Sequence, residues 1–420
     1  MLCIGRVTIS GGSPKQILFA IAGSGRFAPI RRPDGNEPVD HDLSIQAKQT
    51  FSIVTLLATV LVVGIHYKSD VPDLPDATLA TWNQLGQEFL FGGVARVAVP
   101  VFAFAAGLFY FRSDDGTFGC YCKKLSDRVR TVAIPFFIVG SVAMTFWLLV
   151  RRSEGKPIDL TMAEFLSTWW LRPPAEQLWF LRDLMVLVVI APVIRWLGSR
   201  TAVAVVALAL IGGSWLLDFQ WFPPVAGWRI LQMETLLFFM LGCMSLSRRS
   251  WIEMAGRASL SVIALGWLIW SALVAIRIYL RADFDIWYAD DHGIADLLLH
   301  QSSILVGTVV LYMTAWRMRH RWLLYLASGS FFVYLVHEFP LRAIAHRLTD
   351  RFMDPDYSCW LLTPVVLVGC YATAMLLGRF CPAAMAMLTG GRIPRPAPSN
   401  VAPSNVAVSN SPSRRAEGVK

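Results

Sequence analysis

The chain has 420 residues, a formal net charge of +9 and 55% hydrophobic residues, with a mean hydropathy of +0.51. Only 16% of the residues are charged, whereas a soluble globular domain carries about a quarter. That balance excludes an ordinary soluble enzyme. The basic charge requires no nucleic-acid partner, because cationic loops beside anionic lipid account for it.

The N-terminal stretch, residues 1–45, is mixed and rich in Gly and Pro ("SGGSPKQ", "RRPDGNEP"). It reads as a disordered cytoplasmic extension without a signal sequence. Apolar runs long enough to cross a hydrocarbon core then recur, separated by short charged loops. About ten spans are expected, near 50–67, 94–111, 131–150, 178–196, 201–217, 230–246, 259–280, 295–316, 322–344 and 361–380. The predicted fold is all-α: a polytopic membrane protein built as a bundle of about ten transmembrane helices over residues 46–388. The remaining residues, 389–420, hold "RPAPSNVAPSNVAVSNSPS". This small repeat is poor in large apolar side chains and reads as a disordered cytoplasmic tail.

The loops alternate in charge. With the N-terminus inside, inner loops carry Arg112, Lys123, Lys124, Arg128, Arg130, Arg200, Arg248, Arg249, Arg257, Arg317, Arg319 and Arg321. The outer loops are acid-rich, with Asp70, Asp73, Asp76 and Glu88 in the first of them. The excess of inner cations puts both termini in the cytoplasm. The seven cysteines read as reduced and structural, and "CYC" is not a zinc spacing.

An ionisable residue inside a span is costly and is a functional candidate by default. His66 ends the first span, and Arg96 opens the second. "QLWFLRDLMVL" opens the fourth, with Trp179, Arg182 and Asp183. Glu234 lies one turn into the sixth, and "GSFFVYLVHEFPL" in the ninth carries Tyr334, His337 and Glu338. Neighbouring spans run in opposite directions, yet these groups fall at similar depth, which predicts one outward-facing polar cavity. Tyr334 shares a helix face with both His337 and Glu338, so a phenol or carboxylate is expected to fix the imidazole tautomer. Trp179 is three residues before Arg182, a spacing that permits a cation–π contact. Arg182 and Asp183 are adjacent and point to different faces, so separate partners are expected for them. Bland readings compete: an interfacial anchor for His66, snorkelling for Arg96, a structural ion pair in "WFLRD".

Five strings, "LLATVLVVGIHY", "RVAVPVFAFAAGLF", "RVRTVAIPFF", "QLWFLRDLMVLVVIAPVI" and "GSFFVYLVHEFPL", resemble successive signatures of the integral-membrane acyltransferase 3 family. They occur in the family's order and cover the chain from about residue 45 to 385. The resemblance implies transfer of an acyl group, with acetyl expected, from cytoplasmic acyl-coenzyme A to a hydroxyl of an envelope or extracellular carbohydrate. It implies residence in a bacterial inner membrane, with membrane lipid, the carbohydrate acceptor and the acyl donor as partners. No tightly bound cofactor and no metal are expected, and the oligomeric state is left open. His66 matches the histidine that the family needs, His337 its late histidine motif, and Arg96 and "WFLRD" its other recurrent polar positions. On this reading His66, His337 and Arg96 are catalytic, and Trp179, Arg182, Asp183, Glu234, Tyr334 and Glu338 bind substrate. Arg128 and Arg130 receive the coenzyme A phosphates. One position departs from the pattern. Family members commonly carry an arginine eleven residues before the first histidine, and here that residue is Thr55.

A neutral imidazole within reach of a sugar hydroxyl can take its proton as it attacks the thioester. The basic inner loop and His66 nevertheless sit at opposite faces, so the donor's arm must thread between helices or an acyl-enzyme must relay the group. Competing readings are a carrier or flippase for an envelope lipid or oligosaccharide, and an inactive partner subunit.

Overall fold

The computed structural model describes residues 43–69, 79–225, 229–280 and 293–394. Among them there is no β-strand, and the fold is an all-helical membrane bundle. Its helices are α1 (Ile45–Tyr67), α2 (Leu79–Gln87), α3 (Ala98–Arg112), α4 (Phe118–Arg128), α5 (Ile134–Ser153), α6 (Met162–Trp170), α7 (Trp179–Val189), α8 (Ala191–Ser199) and α9 (Thr201–Leu216). They continue as α10 (Met233–Ser245), α11 (Arg249–Gly256), α12 (Leu260–Leu280), α13 (Ile294–Arg317), α14 (Arg321–Ala327), α15 (Ser330–Val336), α16 (Leu341–Thr349), α17 (Pro355–Phe380) and α18 (Pro382–Thr389).

Six of the ten expected spans are continuous helices long and apolar enough to cross a bilayer, namely the first, second, third, seventh, eighth and tenth. The other four are short or broken. The fourth bends by 60° between α7 and α8, where Pro192 in the first turn of α8 lacks an N–H and its ring crowds the preceding turn. The fifth is the 16-residue apolar α9. The sixth is α10, whose 13 residues span only about 20 Å at 1.5 Å each. Ten of those residues, from Met233 to Cys243, are buried, because protein rather than lipid surrounds this helix. The ninth is split into α14, α15 and α16 at Ser328–Gly329 and at His337–Pro340. Pro340 disfavours helical backbone in the residue before it.

The bundle is apolar outside as well as within. Val205, Val206 and Leu210 on α9, Leu265 and Leu268 on α12, and Val365 and Val368 on α17 are all exposed. Such a surface suits hydrocarbon, and the costly polar side chains turn inward. In α1 the hydroxyls of Thr50, Thr55 and Thr59 each donate to the carbonyl four residues back, at 2.8, 2.9 and 2.8 Å. This satisfies them inside the helix that carries His66 at its end.

The described fold runs past residue 388, with α18 reaching Thr389 and the chain continuing to Pro394. Most of the expected N-terminal extension, residues 1–42, lies outside the described residues, as do Cys3 and Asp70, Asp73 and Asp76 of the first outer loop. The six described cysteines are free thiols.

Candidate active site

A cavity of about 370 Å³ opens between the end of α1, the start of the second span and the start of α7. His66, Ala95, Arg96, Gln177, Trp179, Phe180, Arg182 and Tyr334 are among the residues that line it. Five of the polar or aromatic residues singled out in the sequence therefore meet at one cavity: His66, Arg96, Trp179, Arg182 and Tyr334.

His337 lies directly behind this wall and is fully buried. Its ring and that of His66 are 5.1 Å apart between centroids, at 61°. The Tyr67 hydroxyl donates to the His337 carbonyl at 2.8 Å and ties the end of α1 to the end of α15. Nδ1 of His337 stands 3.1 Å from the Val333 carbonyl and 3.0 Å from the Tyr334 carbonyl. Two acceptors on one nitrogen place the proton on Nδ1 and leave a lone pair on Nε2. That Nε2 is buried and has no hydrogen-bond partner among the described residues. The tautomer is thus set by two backbone carbonyls at the helix end, not by a phenol or carboxylate as expected.

The Tyr334 hydroxyl donates instead to the carbonyl of Gln177, and the Gln177 amide donates to the Leu335 carbonyl at 3.0 Å. Gln177, which was not singled out from the sequence, clamps the loop before α7 onto α15. Glu338 faces away from His337. Its carboxylate accepts from the backbone N–H of Phe339 at 2.6 Å and of Glu176 at 3.2 Å. It therefore holds the rim of the cavity and does not line it.

Arg182 and Asp183 are not separate, as their adjacency suggested. The long guanidinium folds back, and its Nη2 lies 3.2 Å from Asp183 Oδ1. Arg182 also donates to the carbonyls of Leu171 and Arg229 at 2.6 and 2.8 Å. Asp183 accepts from the Gln232 backbone N–H at 3.0 Å. The pair fastens α7 to the segment before α10. Glu234, two residues further along, accepts from the Trp215 indole at 3.2 Å and does not reach the cavity.

Arg96 is presented by an irregular stretch. Residues Glu88–Gly93 form a π-helical turn and Val94–Val97 a 3₁₀ turn before α3 begins, a local irregularity often found at functional sites. The Arg96 Nε donates to the Gly92 carbonyl at 3.3 Å. Behind it, Glu88 forms buried ion pairs with Lys68 and with Arg277 of α12. Glu88 was assigned to an outer loop. It is instead 2% exposed, because two cations from distant segments compensate its charge. The sequence signal was present: an arginine stands alone in the otherwise apolar α12.

At the other end of α3 a larger cavity of about 730 Å³ is lined by Tyr110, Lys124, Arg128 and Arg130. Between the two lies a third, about 280 Å³, lined by Thr55, Thr59, Phe180, Tyr334, Tyr110, Arg128 and Arg392 among others. Phe180 and Tyr334 belong to both the His66 cavity and the middle one. Phe109, Tyr110 and Arg128 belong to both the middle and the basic one. Near the basic end, Asp114 pairs with Arg195 and with Lys124, the latter at 3.5 Å.

A protein-family model described as an acyltransferase domain, acyltransferase 3, matches residues 55–379. Over 371 residues the chain is 26% identical to the succinoglycan biosynthesis protein ExoH of Rhizobium meliloti (strain 1021), covering 84% of this chain and 94% of that relative. No solved structure matches it. With the inward-facing polar site, the lipid-facing apolar surface and a family match over most of the chain, the protein belongs to the acyltransferase 3 family and is a multi-pass membrane O-acyltransferase.

Proposed function

We propose that this enzyme moves an acyl group, acetyl in the simplest case, from cytoplasmic acyl-coenzyme A to a hydroxyl of an envelope or extracellular polysaccharide or glycolipid. The observation that carries the reading is the row of three cavities sharing wall residues, from Arg128 and Arg130 at one end to His66 at the other. Such a row meets the separation problem without an acyl-enzyme. Coenzyme A phosphates rest among Arg128, Arg130 and Lys124, and the pantetheine arm passes through the middle cavity. Thr55 and His66 are eleven residues apart on α1, about 16 Å at 1.5 Å per residue. The name of the relative, a succinoglycan biosynthesis protein, supports a polysaccharide as acceptor. Cationic loops at the basic end favour the cytoplasm for that face and for both termini, in a bacterial inner membrane.

At the His66 end the chemistry is ordinary acyl transfer. The acceptor hydroxyl gives its proton to His66 as its oxygen bonds to the thioester carbonyl carbon. The developing oxyanion is stabilised by the Arg96 guanidinium. The C–S bond then breaks, and His66 returns the proton to the departing thiolate. His337, with its lone pair on Nε2 and its ring 5.1 Å away, orients the His66 ring as an acceptor for its N–H, leaving the other ring nitrogen of His66 to take the proton. Catalytic hydrogen bonds of this kind often tighten only when substrate binds. Arg182, Asp183, Glu234 and Glu338 brace the cavity, while Trp179 and Tyr334 face the substrate.

The test is acyl transfer in membranes holding wild type or His66→Ala, supplied with radiolabelled acetyl-coenzyme A and envelope glycans. Label in carbohydrate from wild type alone, at equal protein level, supports the reading. Equal label from both variants removes His66 from the mechanism. No label from wild type with acetyl, succinyl and longer donors overturns the acyl-coenzyme A assignment.

A further inference from the structure

The geometry points to a donor-binding role for Arg392, which we propose holds the diphosphate of acyl-coenzyme A at the neck between the basic and middle cavities. This rests on the acyl-coenzyme A reading above. Arg392 lies thirteen residues beyond the end of the matched family region, residues 55–379, in a stretch the sequence presents as tail.

The chain reaches this position through a specific turn. After α18, Gly390 and Gly391 adopt φ of +64° and +90°, a region that L side chains rarely occupy. A Cβ on Gly390 would stand 2.3 Å from Thr131 Cα. The reversal thus lays the chain directly on the segment after α4. It returns Arg392 toward the bundle, where Nη1 donates to the carbonyls of Thr131 and Thr389 at 3.0 and 2.8 Å. The guanidinium carbon sits 4.1 Å from the centroid of the Phe331 ring. That cation–π contact fixes the plane of the group at the cavity wall.

Arg128 and Arg392 line the same middle cavity. No carboxylate shares it with these two guanidiniums, and Asp127, beside Arg128, lines only the basic one. Among the described residues no carboxylate forms a salt bridge with Arg392. Two guanidiniums facing one interhelical space are costly in a low dielectric unless an anion joins them. Paired arginines suit phosphate oxygens. A diphosphate held there directs the pantetheine arm past Thr55 and Tyr334 toward His66. Thr55 occupies the position where the family pattern expects an arginine and lines this same cavity. Arg392 brings a cation into that cavity from a different part of the chain.

The test uses the full-length chain as wild type, Arg392→Ala, Arg392→Lys, and Arg392→Ala combined with Thr55→Arg. Binding is read as the rise in melting temperature that coenzyme A causes in detergent, and catalysis as the initial rate in membranes at varied donor and acceptor. Arg392→Ala is expected to raise the donor KM at least tenfold with the acceptor KM unchanged. Arg392→Lys should show a smaller rise, and adding Thr55→Arg should recover at least half of the loss. The effect should persist with 3′-dephospho-coenzyme A, since the diphosphate is the bound group; dependence on the 3′-phosphate alone overturns that assignment. An unchanged donor KM, or an equal loss for donor and acceptor without rescue by Thr55→Arg, overturns the donor-binding role. Wild type that binds coenzyme A through Arg392 yet transfers no acyl group overturns the acyl-transfer reading instead. Wild type that does not bind it overturns both.

Discussion

The imidazoles of His66 and His337 stand 5.1 Å apart between ring centroids, edge toward face, although 270 residues separate them in sequence. His66 meets the cavity and His337 is sealed behind it with its proton placed by two backbone carbonyls. In the proposed mechanism the two rings have unequal roles, a base and its support.

His66→Ala is expected to lower kcat by about 10²–10⁴-fold, the usual contribution of a positioned general base. His337→Ala should lower kcat less, because the base itself remains, and should leave the donor KM near wild type. Initial rates in membranes at matched protein level decide this. A larger loss from His337→Ala than from His66→Ala would reverse the two roles.

Gly64, two residues before His66, is pressed against the second span. A Cβ there would stand 2.0 Å from Cε1 of Phe91, far inside contact distance. Gly64→Ala must displace the buried Phe91 ring or push α1 away from the π-helical turn that leads to Arg96, at a cost of about 1–3 kcal/mol for overpacking. The melting temperature in detergent should fall, and Gly64→Ala with Phe91→Ala should recover part of the loss. No fall in the single variant would show that α1 does not pack as closely as described.

The ion group of Glu88, Lys68 and Arg277 ties α1, the second span and α12 together. Arg277→Met removes one of two cations and leaves a buried carboxylate under-compensated, which is expected to cost about 3–5 kcal/mol. Glu88→Gln with Arg277→Met should be closer to wild type than the single change. Thermal unfolding of the three proteins tests this, and strict additivity would mean that the charges do not interact.

The middle cavity is lined on one side by Ala105 and Ala106 of α3. Ala106→Phe should fill much of its roughly 280 Å³ while leaving the walls around His66 intact. If the donor arm passes here, transfer should fall more than tenfold at an unchanged melting temperature. Retained activity in a stably folded Ala106→Phe protein would exclude this route for the arm.

Much of this architecture could be read from the chain itself. A bilayer imposes a one-dimensional demand on sequence, since every stretch inside it must be apolar and must satisfy its own backbone. The apolar runs, and the cost of His66, Arg96, Arg182 and Tyr334 within them, are visible residue by residue. Their meeting at one cavity followed from equal depth on helices of alternating direction. What depth along a helix cannot specify is the neighbour across the interface. The splitting of the ninth span, the burial of Glu88 by Lys68 and Arg277, the Arg182–Asp183 pair and the tautomer of His337 all depend on which helices touch and at what rotation. Arg392 is the extreme case: it follows α18 in sequence, and a turn of two glycines against Thr131 brings it to the cavity beside Arg128. Composition and periodicity determined that the chain enters the membrane and which residues are costly there. Tertiary packing decided which of them face one another, because a buried charge is stabilised by whatever partner the fold delivers within a few ångströms.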